Sequence, residues 1–223
     1  MKRSQINRAI QDALQMMDAF HFHLPPFARW SPEDYRSKGP EYDEIHDNML
    51  GWDITDYGSG DYEKVGLLLF TIRNGNYHLD KYVKPYAEKV LIVGEGQVTP
   101  YHFHWKKMED IINRGGGDLM VKVYNSTDEG GKGEDPVTVS VDGRTYAVPA
   151  GSVIRLTPGE SITLPCGQYH KFWGEGGKVL VGEVSKVNDD RIDNRFFDEV
   201  GRFPTIQEDE PIRYPLFSEA PRG

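Results

Sequence analysis

The sequence predicts a mainly β protein, a sandwich or barrel of short strands preceded by one N-terminal helix. Three observations lead there. Strand-sized apolar segments recur about every ten residues between Val65 and Val184, each bounded by Gly or Pro. The 223-residue chain holds 24 Gly and 14 Pro, enough to supply the turns that such a fold requires. At the N-terminus alone, a long stretch carries its apolar residues at helical spacing.

That helix runs from Ser4 to Phe20. Ile6, Ala9, Ile10, Ala13, Leu14, Met17 and Phe20 share a face, Ser4 is placed to cap the start, and Pro25-Pro26 ends it. His21-Phe22-His23 lies at the helix end with no carboxylate after it, and reads as helix-terminal or surface histidine. Residues 27–62 are polar, aromatic and rich in Asp and Gly, and read as loops and short strands wrapping the core. Val65 to Arg73 is a strand closed by the turn Asn74-Gly75, and Ala87 to Val93 is the next. Gly94 to Gln97 turns the chain into a strand bearing His102 and His104. A helical turn from near Lys106 through Asp110 to Arg114 is expected to break at Gly115-Gly116-Gly117, with Asp118 to Tyr124 resuming as strand. Residues 128–136 form a flexible tip, and Val137 to Val141 and Arg144 to Val148 flank the hairpin signal Asp142-Gly143. Val153 to Leu156, Ser161 to Leu164, Tyr169 to Trp173 and Val179 to Val184 complete the strands. The tail from Pro204 to Gly223 is proline-rich and acidic, a surface wrap or a partner contact. The expected organisation is one domain over 1–223: helix and wrapping segment (1–62), barrel (63–186), then an active-site loop and tail (187–223).

Composition narrows the function classes. Hydrophobic content of 38% and charged content of 27% suit a soluble globular protein, and the apolar run Gly66 to Phe70 is far too short to cross a bilayer. The N-terminus leads into an amphipathic pattern rather than an apolar signal core. A single cysteine, Cys166, rules out an intrachain disulfide and reads as a small buried residue. These features predict a cytoplasmic protein. A net charge of -9 argues against a nucleic-acid partner, but not against a small polar ligand.

The chemistry concentrates in one stretch, Gly96 to Glu109. His102 and His104 alternate along a strand and so share a face, and Glu109 can return to that face if the chain turns after Trp105. Two imidazoles and a carboxylate are ligands for a first-row divalent metal, and His170 is the candidate fourth. Burying four such groups unpaired in a metal-free barrel would be costly.

The spacing can be tested further. Gly96, five residues, His102-x-His104, four residues, Glu109, six residues, Gly116 matches the first motif of the cupin superfamily. Gly159, five residues, Pro165-x-Gly167, two residues, His170 matches the second, with Gly174 where that motif usually ends in Asn. The resemblance implies a cupin-type double-stranded β-helix, a jelly-roll barrel, with His102, His104, Glu109 and His170 as metal ligands. The runs Thr99 to Gly117 and Gly182 to Phe196 are similar to the D-lyxose isomerase family of cupins. That resemblance implies a manganese-dependent aldose–ketose isomerase acting on D-lyxose with D-xylulose and on D-mannose with D-fructose, as a homo-oligomer, a dimer in our reading.

Isomerisation through an enediol needs a base that moves a proton between C2 and C1. Glu183, following the strand Val179 to Gly182, is the first candidate, against a surface glutamate at a strand end. Lys89, amid apolar residues with Leu91 and Val93 on its face, is the second, against an edge-strand lysine. Lys107, between the ligands, is either a sugar contact or a solvated charge. Asp190, Arg191, Asp193 and Arg195 form a polar run that either closes over a sugar or is a salt-bridged loop. Tyr101, Trp105 and Phe172 either shape an apolar wall or pack in the core. The rival readings are an iron-dependent cupin dioxygenase, which uses the same ligands without an enediol base, and a non-catalytic sugar-binding cupin.

Overall fold

A computed structural model describes residues 1–201 and 205–223. Helix α1 spans Arg3–Ala19 and buries Ile6, Ile10, Ala13, Leu14 and Met17. Its start differs from the expected Ser4 cap: Lys2 occupies the cap position and its backbone N–H bonds Gln5 Oε1 at 2.8 Å. Ser4 instead donates its N–H and its hydroxyl to Asp209, at 2.9 and 2.7 Å. The orphan donors of a first turn need acceptors, and here the C-terminal tail brings one.

The wrapping segment is more helical than expected. It contains 3₁₀ turns at Pro26–Arg29 and Pro40–Tyr42, helices α2 (Pro32–Arg36) and α3 (Asp43–Asp47), and the single strand β1 (Gly51–Thr55). The reason is local: Ser31 and Asp34 form a reciprocal capping box around Pro32.

The remaining strands are β2 (Leu67–Arg73), β3 (Tyr86–Val93), β4 (Thr99–His104), β5 (Glu109–Asn125), β6 (Val137–Val141), β7 (Arg144–Val148), β8 (Val153–Leu156), β9 (Ser161–Leu164), β10 (Gln168–Lys186) and β11 (Asn194–Phe196). Helix α4 (Asp190–Asp193) lies between the last two. All strand ladders are antiparallel. The two long strands β5 and β10 run together and serve both faces of a jelly roll. Where Glu109 to Gly116 meets Val179 to Ser185, the sheet continues to β3, β2 and β1 on one side and to β9, β6 and β7 on the other. Where Asp118 to Asn125 meets Gln168 to Glu175, it continues to β4 and β11 on one side and to β8 on the other. The cupin-type barrel inferred from the motifs is therefore present.

This arrangement corrects two expectations. Asp110 to Arg114 is strand rather than helical turn, and residues 168–186 form one bent strand rather than two. Glu109, Ile111 and Asn113 alternate buried with less buried neighbours, the period of two that a strand imposes. Gly115 and Gly116, at φ +146° and +99°, bend β5 without ending it. A Cβ at Gly116 would lie 2.1 Å from the Lys178 carbonyl oxygen, so only glycine permits this approach to β10.

The alternation sorts side chains between two cores. On β3, Val90 and Ile92 pack outward with Trp52, Ile54 and Phe70 beneath α1, while Leu91 and Val93 point into the barrel with Val121, Ile162 and Val181. Pro204 lies outside the described residues, and residues 205–223 return to α1 and β1. Arg3 pairs with Glu208 and Glu219 there, and Phe217 donates its N–H to the Trp52 carbonyl at 2.7 Å. The expected surface wrap is thus a clasp on the chain's own N-terminus. Among the described residues no helix is long and apolar enough to cross a membrane.

Candidate functional site

The pairing of β4 with β10 sets His170 directly opposite His102. His104 follows on the same face of β4, and the turn 105–108 delivers Glu109 as the first residue of β5. One ligand atom from each of His102, His104, Glu109 and His170 lies within 4.8 Å of all the others, and all four residues are buried. The cluster expected from the motif spacing is thus assembled.

Its donor set fits a divalent cation. His102 Nδ1 lies 2.8 Å from the Pro100 carbonyl and His170 Nδ1 lies 3.0 Å from the Gln168 carbonyl. A carbonyl oxygen can only accept, so each Nδ1 carries the proton and each Nε2 keeps its lone pair. Those two Nε2 atoms face one another at 3.0 Å. Two acceptors at that distance repel unless a cation lies among them. Burial, reinforced by the His170 and His104 rings, pushes the His102 pKa well below the histidine range, so a proton is a poor choice of cation. Burial opposes the charge on Glu109, but His104 and Lys107 outweigh it and hold its carboxyl well below the usual range. Glu109 Oε1 lies 3.2 Å from both His104 Nε2 and His170 Nε2.

Beyond the cluster, a chamber opens between the two faces of the barrel. Lys107 is buried, not solvated: its Nζ lies 2.8 Å from Glu109 Oε2 and 2.8 Å from Glu183 Oε1. Burial alone would lower its pKa, but Glu109, Glu183 and Asp190 raise it, so it stays charged. Glu183 is buried in the chamber wall on β10, directly across from Lys89 on β3. Lys89 Nζ lies 3.6 Å from Glu183 Oε1. Strand β3 has β2 and β10 on its two sides, so Lys89 is not on an edge.

The polar run 190–195 divides. Asp190 lines the chamber and lies 3.5 Å from Lys89 Nζ. The Asp193 carboxylate accepts the backbone N–H groups of Lys106 and Lys107, at 2.7 and 3.1 Å, and so braces the turn between the ligands. Arg191 pairs with Asp189 at 2.9 Å, and Arg195 is exposed on the outer side of β11; neither lines the chamber. Phe172 lines the chamber, whereas Trp105 is 57% exposed and Tyr101 packs against Tyr124 outside it. Cys166 is exposed in the β9–β10 turn, contrary to expectation. Gly174, where the cupin motif has Asn, packs so tightly that a Cβ would lie 2.9 Å from the Gly94 carbonyl oxygen.

The opposite wall is built by residues outside the motifs. Asp53 and Thr55 of β1, with Asn194 and Phe196 of β11, also line the chamber. The signal for β1 was present in Trp52-Asp53-Ile54-Thr55, where apolar residues alternate with polar ones at strand period. Asn188, which accepts from both Lys89 and Lys107, carried no local signal.

Comparison with known proteins agrees with this geometry. The D-lyxose/D-mannose isomerase of Serratia proteamaculans is 48% identical over 222 residues, covering 98% of this chain and 97% of that protein. The enzyme of the same description from Escherichia coli O157:H7 is 47% identical over 98% of both chains. Among solved structures, Cellulomonas parahominis L-ribose isomerase with L-ribose superposes with a TM-score of 0.60 at 17% identity, over 93% of this chain and 98% of that one, a likeness of fold. The model of the D-lyxose isomerase family matches residues 1–220. With that match over nearly its whole length, and a buried His/Glu cluster able to hold a metal in a cupin barrel, the chain belongs to the D-lyxose isomerase family.

Proposed function

We propose that this protein is a manganese-dependent aldose–ketose isomerase that interconverts D-lyxose with D-xylulose and D-mannose with D-fructose. The observation that carries this reading is Glu183, a buried carboxylate held between two lysines beside the four-ligand cluster. An oxygen-activating or merely sugar-binding cupin needs no such group.

His102, His104, Glu109 and His170 would hold the metal, which when bound supplies Lewis-acid polarisation of neighbouring sugar oxygens. Glu183 takes the C2 proton of the aldose and returns it to C1. The C2 alcohol becomes the ketone, the aldehyde becomes a primary alcohol, and a hydroxyl proton passes from O2 to O1. Lys107 and Lys89 place two buried cations beside the region where negative charge develops, where low solvent exposure strengthens their effect. Asp190 contacts sugar hydroxyls from the chamber wall. Asp193 and Arg191 act through the loop that they brace, and Arg195 through Tyr169 of β10, rather than by touching the sugar. The single cysteine supports a cytoplasmic location, the net charge of -9 argues against a nucleic-acid partner, the short apolar runs argue against a membrane partner, and the family resemblance supports a homodimer.

The test is to incubate manganese-loaded protein with a panel of pentoses and hexoses and to measure ketose formation. Conversion of D-lyxose and D-mannose is expected; no conversion of any aldose, with metal shown to be bound, overturns the reading.

A further inference from the structure

The two lysines that flank Glu183 have their ammonium groups on one further atom. Asn188 Oδ1 lies 2.8 Å from Lys89 Nζ and 3.1 Å from Lys107 Nζ. Asn188 follows β10 and is itself clamped from a distant segment. The Asn74 side chain, just after β2, accepts the Asn188 backbone N–H at 2.9 Å and donates to the Asn188 carbonyl at 2.8 Å. Asn74 is tied in turn to Asn48 at the end of α3. Its amide donates to the Asn48 carbonyl at 3.2 Å, and the Asn48 amide donates to the Asn74 carbonyl at 3.0 Å. All three asparagines are buried. They form a polar strut from the wrapping segment to the proton-transfer site.

From this geometry we infer that Asn188 and Asn74 are positioning residues for the isomerisation, Asn188 by orienting both lysines and Asn74 by fixing the peptide of Asn188. The proposal rests on the reading of Glu183 as the base. Its chemical logic lies in the amide. A neutral oxygen accepts one proton from each ammonium group without adding charge, leaving the other two of Lys107 for Glu109 and Glu183 and directing Lys89 toward Glu183 and Asp190. A carboxylate in the same place would form stronger, charge-assisted bonds and draw the lysines away from Glu183. Asn74 acts at one remove, because its two bonds to one peptide determine where that neutral acceptor lies. Buried donors and acceptors of this kind are costly to leave unmade, so the strut has one favoured arrangement.

The test compares manganese-loaded wild type with Asn74→Ala, Asn188→Ala, Asn188→Asp and the Asn74→Ala/Asn188→Ala double variant. It reads kcat, KM, metal content, and the ¹³Cε resonances of Lys89 and Lys107, assigned through Lys89→Met and Lys107→Met. Each single variant is expected to lose about ten- to a hundred-fold in kcat, with KM and metal content nearly unchanged. The double variant should be no slower than Asn188→Ala, because Asn74 works through Asn188. Both lysine resonances should move in Asn74→Ala. Unchanged kcat with unmoved resonances overturns the proposal, as does a double variant whose losses multiply. If Asn74→Ala does not fold, Asn188→Ala and Asn188→Asp decide by the same readouts. If wild type makes no ketose, the functional reading fails, while the lysine resonances still decide whether the strut holds the two ammonium groups.

Discussion

Lys107 and Glu183, 76 residues apart in the chain, meet inside the barrel with Nζ 2.8 Å from Oε1. The same ammonium group touches Glu109 of the candidate metal cluster at 2.8 Å, so one buried cation joins that cluster to the proposed base. Strand register makes this possible. Glu183 lies opposite Ile111 on β5, two residues beyond Glu109, and Lys107 arrives from the turn that precedes Glu109.

Glu183→Gln keeps the shape of the side chain and removes the proton acceptor. Metal content should stay at the wild-type level while kcat for D-lyxose falls by about 10²–10⁴-fold. Metal analysis beside a ketose assay checks this, and an unchanged kcat removes Glu183 from the mechanism.

Lys107→Met removes the cation shared by two buried carboxylates. In metal-free protein this should cost about 3–5 kcal/mol of stability, the scale for leaving a buried charge uncompensated. Urea unfolding of the two apo-proteins measures it. A loss under about 0.5 kcal/mol would place Lys107 among surface-type charges.

Removal of metal should expose the conflict between the His102 and His170 lone pairs. Chelator-treated protein should melt at lower temperature and recover when manganese is added. A metal at a hundred times its Kd contributes about 2.7 kcal/mol by mass action. His170→Ala should abolish that response, and a wild-type melting temperature indifferent to manganese would contradict the assignment of the cluster.

Asp47 supplies a prediction about acid. Its carboxylate accepts from the Tyr82 hydroxyl at 2.7 Å and pairs with Lys81 and Arg222, both at 3.0 Å. The Tyr82 hydrogen bond, followed by those from Lys81 and Arg222, holds its carboxyl well below the ordinary value of 3.8. A depressed folded-state pKa contributes stability that is fully present above 3.8 and is lost as pH falls toward the folded value. The melting-temperature gap between wild type and Asp47→Asn should therefore be largest near neutrality and shrink on acidification below about pH 4. A gap independent of pH would show that the carboxylate charge contributes nothing there.

Much of the architecture was legible because it repeats locally. The helical spacing of Ile6, Ile10, Leu14 and Met17 and the Asp142-Gly143 hairpin are properties of neighbouring residues, and both elements form where expected. Asp110 to Arg114 departs from the expected helical turn because three successive glycines mark a break in the sequence alone. In the fold they are where a long strand bends against β10, a role visible only with the partner strand in place.

The sequence by itself determined the candidate ligand set. The spacing of His102, His104 and Glu109 follows from the period of one strand and one turn, and the motif around His170 is equally local. The tertiary structure alone decided how the proposed proton-transfer groups meet. Glu183, Lys89, Lys107 and Asn188 come from separate segments and carry no shared spacing. Strand register turned Glu183 and Lys89 inward, burial kept Lys107 from water, and a clamp from Asn74, 114 residues away, placed Asn188 between the lysines. Short-range geometry is written in residue order, whereas side chains that meet across a barrel are brought together by the closure of the sheet.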